Sequence, residues 1–465
     1  MKNIVFTLLL LVLLPASTLA SEATIPAGEP MVRPRGFGVG NDYIRLSGRM
    51  QSLFLWRNDR DFDRTAPFYN EQGQDVGVLG TFIAPYLEIT PVEQLRMVTE
   101  MEIGLNIWSL QDPAEYGTGD DRFFRMAIRQ LFMEGNFFDG KLGFRVGYEQ
   151  MFDLSGLFLG HWLGVASVST KHDWGKLTLS AAQVPDQTYE GVSFDDNNFN
   201  SDTLVYGLRG DFPLNEHLTF SASLWGMHDT QVVDQPLNLA TLTAKLAGQW
   251  TNLSFAVDLG FQYGVTKHRA SGDDETTMAW SLQGSFDMRQ PLNDNLSLLL
   301  HFNTMALSGD DEHDGNDFNG AWFYSGKSRS RTMILTEDDL RDRGGNIDER
   351  MAELRQGDSG KFYLVRPGLS ITDLSIGVEV MKFFRPMLTV GAGFVLEPDN
   401  ALGNRFVGVE ADLHLEFLYE RFLSFDLVGG LLAPGEAAAA FTNRTSDRAS
   451  TETIYQVEAV MTMWF

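Results

Sequence analysis

An all-β fold is what the sequence predicts: a transmembrane antiparallel β-barrel of about eighteen strands, with short periplasmic turns and long extracellular loops. Three observations predict it. Apolar residues recur at every second position through long stretches, as one face of a strand requires. The gaps between those stretches alternate between short and long. The last stretch ends on an aromatic residue, Phe465, behind a run of alternating apolar positions.

The chain opens with Met1-Lys2-Asn3, an apolar run from Ile4 to Leu14 broken only by Thr7, and the cleavage signal Thr18-Leu19-Ala20. That is the pattern of a secretory signal peptide. The run is too short to cross a bilayer as a helix, which needs ~20 apolar residues. Cleavage is expected after Ala20. The chain then divides into a signal peptide at 1–20, a periplasmic N-terminal segment at 21–42 and a barrel at 43–465. No cysteine follows the cut, so neither a lipid anchor nor a disulfide is expected. The destination implied is the outer membrane of a Gram-negative bacterium. Outer-membrane lipid, lipopolysaccharide and the barrel-assembly machinery would be its partners.

The 36 basic and 62 acidic residues give a net charge of −26, and loss of Lys2 with the signal would make it −27. A nucleic-acid binder needs a basic footprint, so that class is set aside. At 465 residues a soluble chain usually splits into two or more domains, yet no Pro/Ser-rich linker divides this one. Glycine (45) and phenylalanine (34) are abundant and helix-period stretches are few, which favours one long β architecture.

The eighteen strands fall near 43–56, 78–89, 95–108, 122–136, 142–152, 164–172, 176–184, 202–212, 218–228, 238–249, 253–266, 276–288, 296–307, 362–381, 387–396, 406–419, 423–432 and 453–465. In the third, Leu95, Met97, Met101 and Ile103 share a face opposite Arg96, Glu100 and Glu102. In the eleventh, Phe255, Val257, Leu259, Phe261 and Tyr263 oppose Asp258 and Gln262. In the sixteenth, Val409, Ala411, Leu413 and Leu415 oppose Glu410, Asp412, His414 and Glu416. Short gaps such as Asp173-Trp174-Gly175 and Trp250-Thr251-Asn252 alternate with long ones at 57–77, 185–201, 308–361 and 433–452. A barrel with both ends of its chain in the periplasm has this parity. Closure also satisfies every backbone group within lipid and leaves no sheet edge.

In the last strand Phe465, Met463 and Met461, with Ala459, Val457 and Tyr455, form one apolar face. This is similar to the recognition signal that outer-membrane proteins present to the barrel-assembly machinery. Trp56, Trp108, Trp250 and Tyr419 stand near strand ends, as interfacial girdle residues or as packing at loop bases.

With the apolar faces on lipid, the opposite faces line a lumen. Early strands turn Arg45, Arg49, Arg96, Arg125, Arg129, Arg145 and Arg209 inward, beside Glu88, Glu100, Glu102 and Glu149. Later strands turn Asp258, Glu379, Glu410, Asp412, Glu416 and Glu458 inward, with Lys245 and His414 as their few basic partners. Walls of opposite sign would orient a polar solute and select by charge. The same residues could instead neutralise one another.

The strand count, the Arg-bearing strand Leu142-Gly143-Phe144-Arg145-Val146-Gly147-Tyr148-Glu149-Gln150 and the segment Met305-Ala306-Leu307-Ser308-Gly309-Asp310-Asp311 resemble the alginate-export family of outer-membrane proteins. That resemblance implies passage of an anionic polysaccharide through an Arg-lined pore. It makes Arg45, Arg49, Arg96, Arg129 and Arg145 the substrate-facing cations. A neutral or mixed-charge solute fits the acidic later strands as well.

The 308–361 loop is long enough to be functional or disordered, and would be a lid, an inward constriction or an exposed flap. Asp310, Glu312 and Asp314 resemble the start of a calcium loop, but Ala321 stands where an EF-hand has its bidentate glutamate, so any calcium site would be weak. Thr336 to Leu340 resembles a helix start, and Ile347 to Leu354 a second short helix. No cofactor is expected. None of the eight histidines stands in a catalytic motif, and no G-x-S-x-G or H-E-x-x-H occurs, so an enzyme is not expected. A porin for a polar or charged solute or an exported polysaccharide is the first reading. A structural or adhesive barrel plugged by the long loop is the alternative.

Overall fold

The computed structural model describes residues 39–41, 43–58, 76–105, 124–184, 203–229, 236–267, 274–310, 320–324, 329–335, 353–354, 363–365, 367–401, 403–420, 422–438 and 453–465. A two-residue strand, β1 (Val39–Gly40), folds back on β2 (Ile44–Arg57). Then come β3 (Val76–Val92), β4 (Leu95–Leu105), β5 (Phe124–Phe137), β6 (Leu142–Phe152), β7 (Gly160–His172), β8 (Gly175–Val184) and β9 (Thr203–Pro213). Next are β10 (Leu218–Asp229), β11 (Leu237–Trp250), β12 (Leu253–Lys267), β13 (Asp274–Asn293) and β14 (Leu296–Leu307). Three short strands, β15 (Trp322–Tyr324), β16 (Glu353–Leu354) and β17 (Tyr363–Val365), form a separate small sheet. The chain ends with β18 (Leu369–Val380), β19 (Phe384–Val395), β20 (Phe406–Tyr419), β21 (Leu423–Pro434) and β22 (Ile454–Trp464).

Strands β2 to β14 and β18 to β22 pair antiparallel in sequence order and close into an 18-strand barrel. The seam runs between β2 and β22, from Arg49 opposite Trp464 to Arg57 opposite Gln456. Phe465 finishes it: its N–H donates to Gly48 O at 3.0 Å and its carbonyl accepts from Gly48 N at 2.8 Å. A Cβ on Gly48 would come within 2.7 Å of the Phe465 ring, so the glycine is the seat of the terminal aromatic.

Tight turns join the strands at one end. Asp139 (φ 56°) and Gly140 (φ 77°) form one hairpin turn, and Met381 (φ 53°) and Lys382 (φ 59°) another. Positive φ at both central residues matches the right-handed twist of the flanking strands. The expected strand near 362–381 is a correction. It divides at Pro367-Gly368, where proline lacks an N–H and Gly368 has φ +61°, so 363–365 joins the small sheet and only 369–380 joins the barrel. The second helix expected over 347–354 also meets a strand at its end, since Glu353 and Leu354 pair with Leu364 and Tyr363. The remainder of that stretch and the helix start at 336–340 lie outside the described residues.

The outer face carries alternating apolar side chains: Leu179, Leu259 and Leu388 are each more than half exposed. Lipid is the solvent that such a face requires. At the tight-turn end aromatic rings stack from strand to strand, with centroids of His172 and Trp174 4.9 Å apart and those of Trp174 and Phe212 5.9 Å apart. Trp250 stacks on His217 and Phe255 there, and Tyr419 meets Phe422 edge-on. Trp108 lies outside the described residues.

Toward the long-loop end the inner face is apolar too. Trp225, Met227, Leu237, Leu239, Met305 and Leu307 point inward and are buried. Trp225 sits opposite Gly207 in register, and a Cβ on Gly207 would meet its ring at 2.1 Å. Gly207→Ala is therefore expected to cost about 1–3 kcal/mol by overpacking. The midpoint of urea unfolding of vesicle-refolded protein measures it. An unchanged midpoint would mean that the indole moves aside freely.

Candidate functional site

The lumen divides into two kinds of surface. One is a belt of charged side chains in the tight-turn half of the barrel; the other is an inward-folded plug of two loops nearer the middle and the long-loop end.

In the belt, cations pair with carboxylates on the same strand or on a strand nearby. Arg145 Nη2 lies 2.6 Å from Glu134, its Nη1 lies 2.6 Å from Glu149, and its guanidinium stacks over Phe132 with 4.8 Å to the centroid. Arg96 reaches Glu134 at 2.7 Å and Glu88 at 3.4 Å. Arg45 stands opposite Glu88 in register, and Arg49 lies 5.6 Å from the Phe82 centroid. Arg209 pairs with Asp211 at 2.9 Å. Across the barrel Glu379 accepts from Arg289 at 2.5 Å and from Arg385 at 2.8 Å, and Arg385 also reaches Glu416 at 3.2 Å. The arrangement differs from the expected basic wall facing an acidic one. The charges neutralise locally, because a neighbour on the same or a nearby strand is much nearer than the opposite wall.

Strict alternation also missed Glu134. Register shifts at a bulge in β5, where Glu100 pairs with Gln130 but Met101 with Ile128, leaving Arg129 as the extra residue. A bulge reverses which parity faces inward, so Glu134 comes into the lumen beside Arg96 and Arg145. The side chains of Glu102 and Arg125 lie outside the described residues.

The first inward loop, 153–159, follows β6. Asp153 is its knot: Oδ1 accepts from Phe158 N (3.2 Å) and Leu159 N (3.0 Å), and Oδ2 accepts from Ser155 N (3.1 Å) and Ser155 Oγ (2.6 Å). Burial pushes this carboxyl up from the usual range, against the pull of those hydrogen bonds. The knot presents Leu157, Phe158 and Leu159, all fully buried.

The second comes from the 308–361 connection and is the larger. Trp322 Nε1 donates to Leu157 O at 3.4 Å, which joins the two loops. Phe323 exchanges two hydrogen bonds with Gln262 on β12, at 2.9 and 3.1 Å. Gln283 on β13, its amide assigned from its partners, donates to Ser155 O at 3.0 Å and accepts from Arg329 N at 2.7 Å. Arg329 forms an ion pair with Asp258, both side chains buried. Arg331 pairs with Asp287 at 3.4 Å and points a second nitrogen at Met387 Sδ, 3.1 Å away.

Three consecutive amides then cup two carboxylates of β20. Met333 N donates to Asp412 at 3.1 Å, and Ile334 N and Leu335 N donate to Glu410 at 2.5 and 2.7 Å. Such a row of N–H groups is an anion seat built of backbone. Asp258, Glu410 and Asp412, read from the sequence as pore lining with few basic partners, therefore hold the loop. Their partners, Arg329 and the amides of 333–335, come from the long connection whose sequence is compatible with a lid, a constriction or a flap. A signal was present: Arg329, Arg331 and Met333-Ile334-Leu335 place cations and then apolar residues in a stretch whose net charge is negative.

Asp310 is fully buried, while Glu312 and Asp314 lie outside the described residues. Among the described residues no group of three or more candidate metal ligands converges.

Comparison with solved structures places the fold. OccAB2 of Acinetobacter baumannii matches with a TM-score of 0.55 at 11% identity, over 91% of this chain and 98% of that one. OccAB3 of the same organism gives 0.55 at 10% identity, over 91% and 99%. The outer membrane protein opdK from Pseudomonas aeruginosa gives 0.52 at 10% identity, over 91% and 98%. At such identities the likeness is one of architecture. No family model and no curated protein matches the chain by sequence.

Proposed function

We propose that the chain is an outer-membrane channel for a small polar or charged solute. The observation that carries this reading is a barrel whose inner face combines a belt of partly exposed guanidinium groups paired with carboxylates and an inward segment covering part of the cross-section. A barrel needing only structural stability could line its interior with apolar side chains, since buried ion pairs are weak contributors to stability. Water-accessible pairs at the tight-turn end suit a solute that exchanges its hydration shell for protein charges and then leaves. The fold likeness to outer-membrane barrels supports the location, and reading 1–20 as an export signal agrees with it.

Export of a polysaccharide, implied by the alginate-export resemblance, is the second reading. The cations Arg45, Arg49, Arg96 and Arg145 on the early strands favour it. The inward segment favours a shorter solute, because a polymer would have to thread past it.

Refolded protein in planar bilayers tests the proposal: stable open steps are expected, and a silent membrane would overturn it in favour of a plugged structural barrel. Exchanging Arg45, Arg49 and Arg145 together for Ala should move the reversal potential in a salt gradient toward cation selectivity. A potential unmoved by that triple change would remove those arginines from the solute path.

A further inference from the structure

The inner wall is shaped for the 329–335 segment as well as bonded to it. A Cβ on Gly391 of β19 would lie 2.3 Å from Thr332 Cγ2. One on Gly430 of β21 would lie 3.0 Å from Met333 Sδ and 2.6 Å from Asp412 Oδ1. One on Gly260 of β12 would lie 2.7 Å from the Trp322 ring. Three strands thus carry a glycine where the loop lies against them. Unseating the loop would take from Asp258, Glu410 and Asp412 the Arg329 guanidinium and the three backbone donors that now hold them. Met333, Ile334 and Leu335, each fully buried, would also be exposed to lumen water.

We infer that residues 329–335 are a resident part of the lumen wall, seated throughout transport, and that Arg331, facing Asp287, is the specificity-determining cation they present to the solute. Arg329 turns away from the passage into its pair with Asp258, whose side chain is 0% exposed. Arg331 and Asp287 keep 34% and 35% of their side-chain surface. Of these two pairs, Arg331 and Asp287 are the one that a passing solute can touch. A solute bearing a carboxylate or a cationic nitrogen has a partner at that point, and one bearing both can engage the two together. The inference rests on the channel reading and adds which loop residue meets the cargo and that the loop does not gate it.

A cysteine-free chain allows a direct test. The Cβ built on Gly430 lies 3.5 Å from Met333 Cβ, within the span a disulfide bridges. In M333C/G430C, and in T332C/G391C as a second pair, oxidation should lock the segment to the wall. Single-channel conductance in planar bilayers should stay within about twofold of the reduced form, a margin wide enough for the lost glycines yet far from closure. Loss of current on oxidation, restored by dithiothreitol, would overturn residence and make the segment a gate. Failure of both bridges to form in folded protein would overturn the seating itself. Exchange of Arg331 for Ala should leave open steps intact and shift the reversal potential toward cations; an unmoved potential would remove Arg331 from specificity. Should wild-type protein pass no current at all, the channel reading would fall first, and the locked variants would be silent in both redox states.

Discussion

Replacing Arg329 by Ala is expected to destabilise the seated segment by about 3–5 kcal/mol, the cost of stranding one partner of a buried ion pair. Among the described residues Asp258 would keep Lys245 as its charged partner, with Nζ 4.0 Å away, and its carboxylate has no exposed surface with which to recover hydration. Hydrogen exchange should show the expected result as lost protection of the amides of 332–335, and planar-bilayer records should become noisy. Adding Asp258→Asn to the same chain should recover part of the protection, because a neutral amide tolerates burial far better than a bare carboxylate. Protection that persists in R329A alone would show that the amide cup on Glu410 and Asp412 is sufficient to hold the segment.

Excising residues 320–335 in favour of a short Gly/Ser link should have the largest effect on transport. Conductance is expected to rise several-fold, since an eighteen-stranded barrel encloses more space than its own side chains fill. Selectivity should shift strongly toward cations as well. Asp258, Glu410 and Asp412 would lose Arg329 and the loop amides and stand as bare carboxylates in the lumen. Single-channel conductance and reversal potential on the same refolded sample read both effects. An unchanged conductance would place the narrowest point of the lumen elsewhere, with the 153–159 loop as the next candidate.

These effects belong to contacts between residues far apart in the chain. Ile334 and Glu410, joined by a hydrogen bond, are 76 residues apart in sequence. Nothing in the local pattern around Glu410 marks it as an anchor; Val409, Glu410 and Ala411 read as an ordinary barrel strand with a wet inner face. Glu379 shows both cases: Arg385 follows it across a tight hairpin, while Arg289, 90 residues earlier, emerges only from the register of β13, β14 and β18.

What the sequence by itself determined is the barrel: its all-β class, its eighteen strands, the parity of short and long connections, and the faces given to lipid by Leu259, Leu413 and Met463. Those features follow from backbone geometry, in which a strand alternates faces with a period of two and lipid sorts one face from the other. What only the tertiary structure decided is how the lumen is furnished. A single extra residue at Arg129 brought Glu134 inward, Pro367-Gly368 split one expected strand, and the segment at 329–335 turned three wall carboxylates into its own seat. A bulge, a register and a returning loop are set by free energies summed over the closed barrel, so no window along the chain contains them.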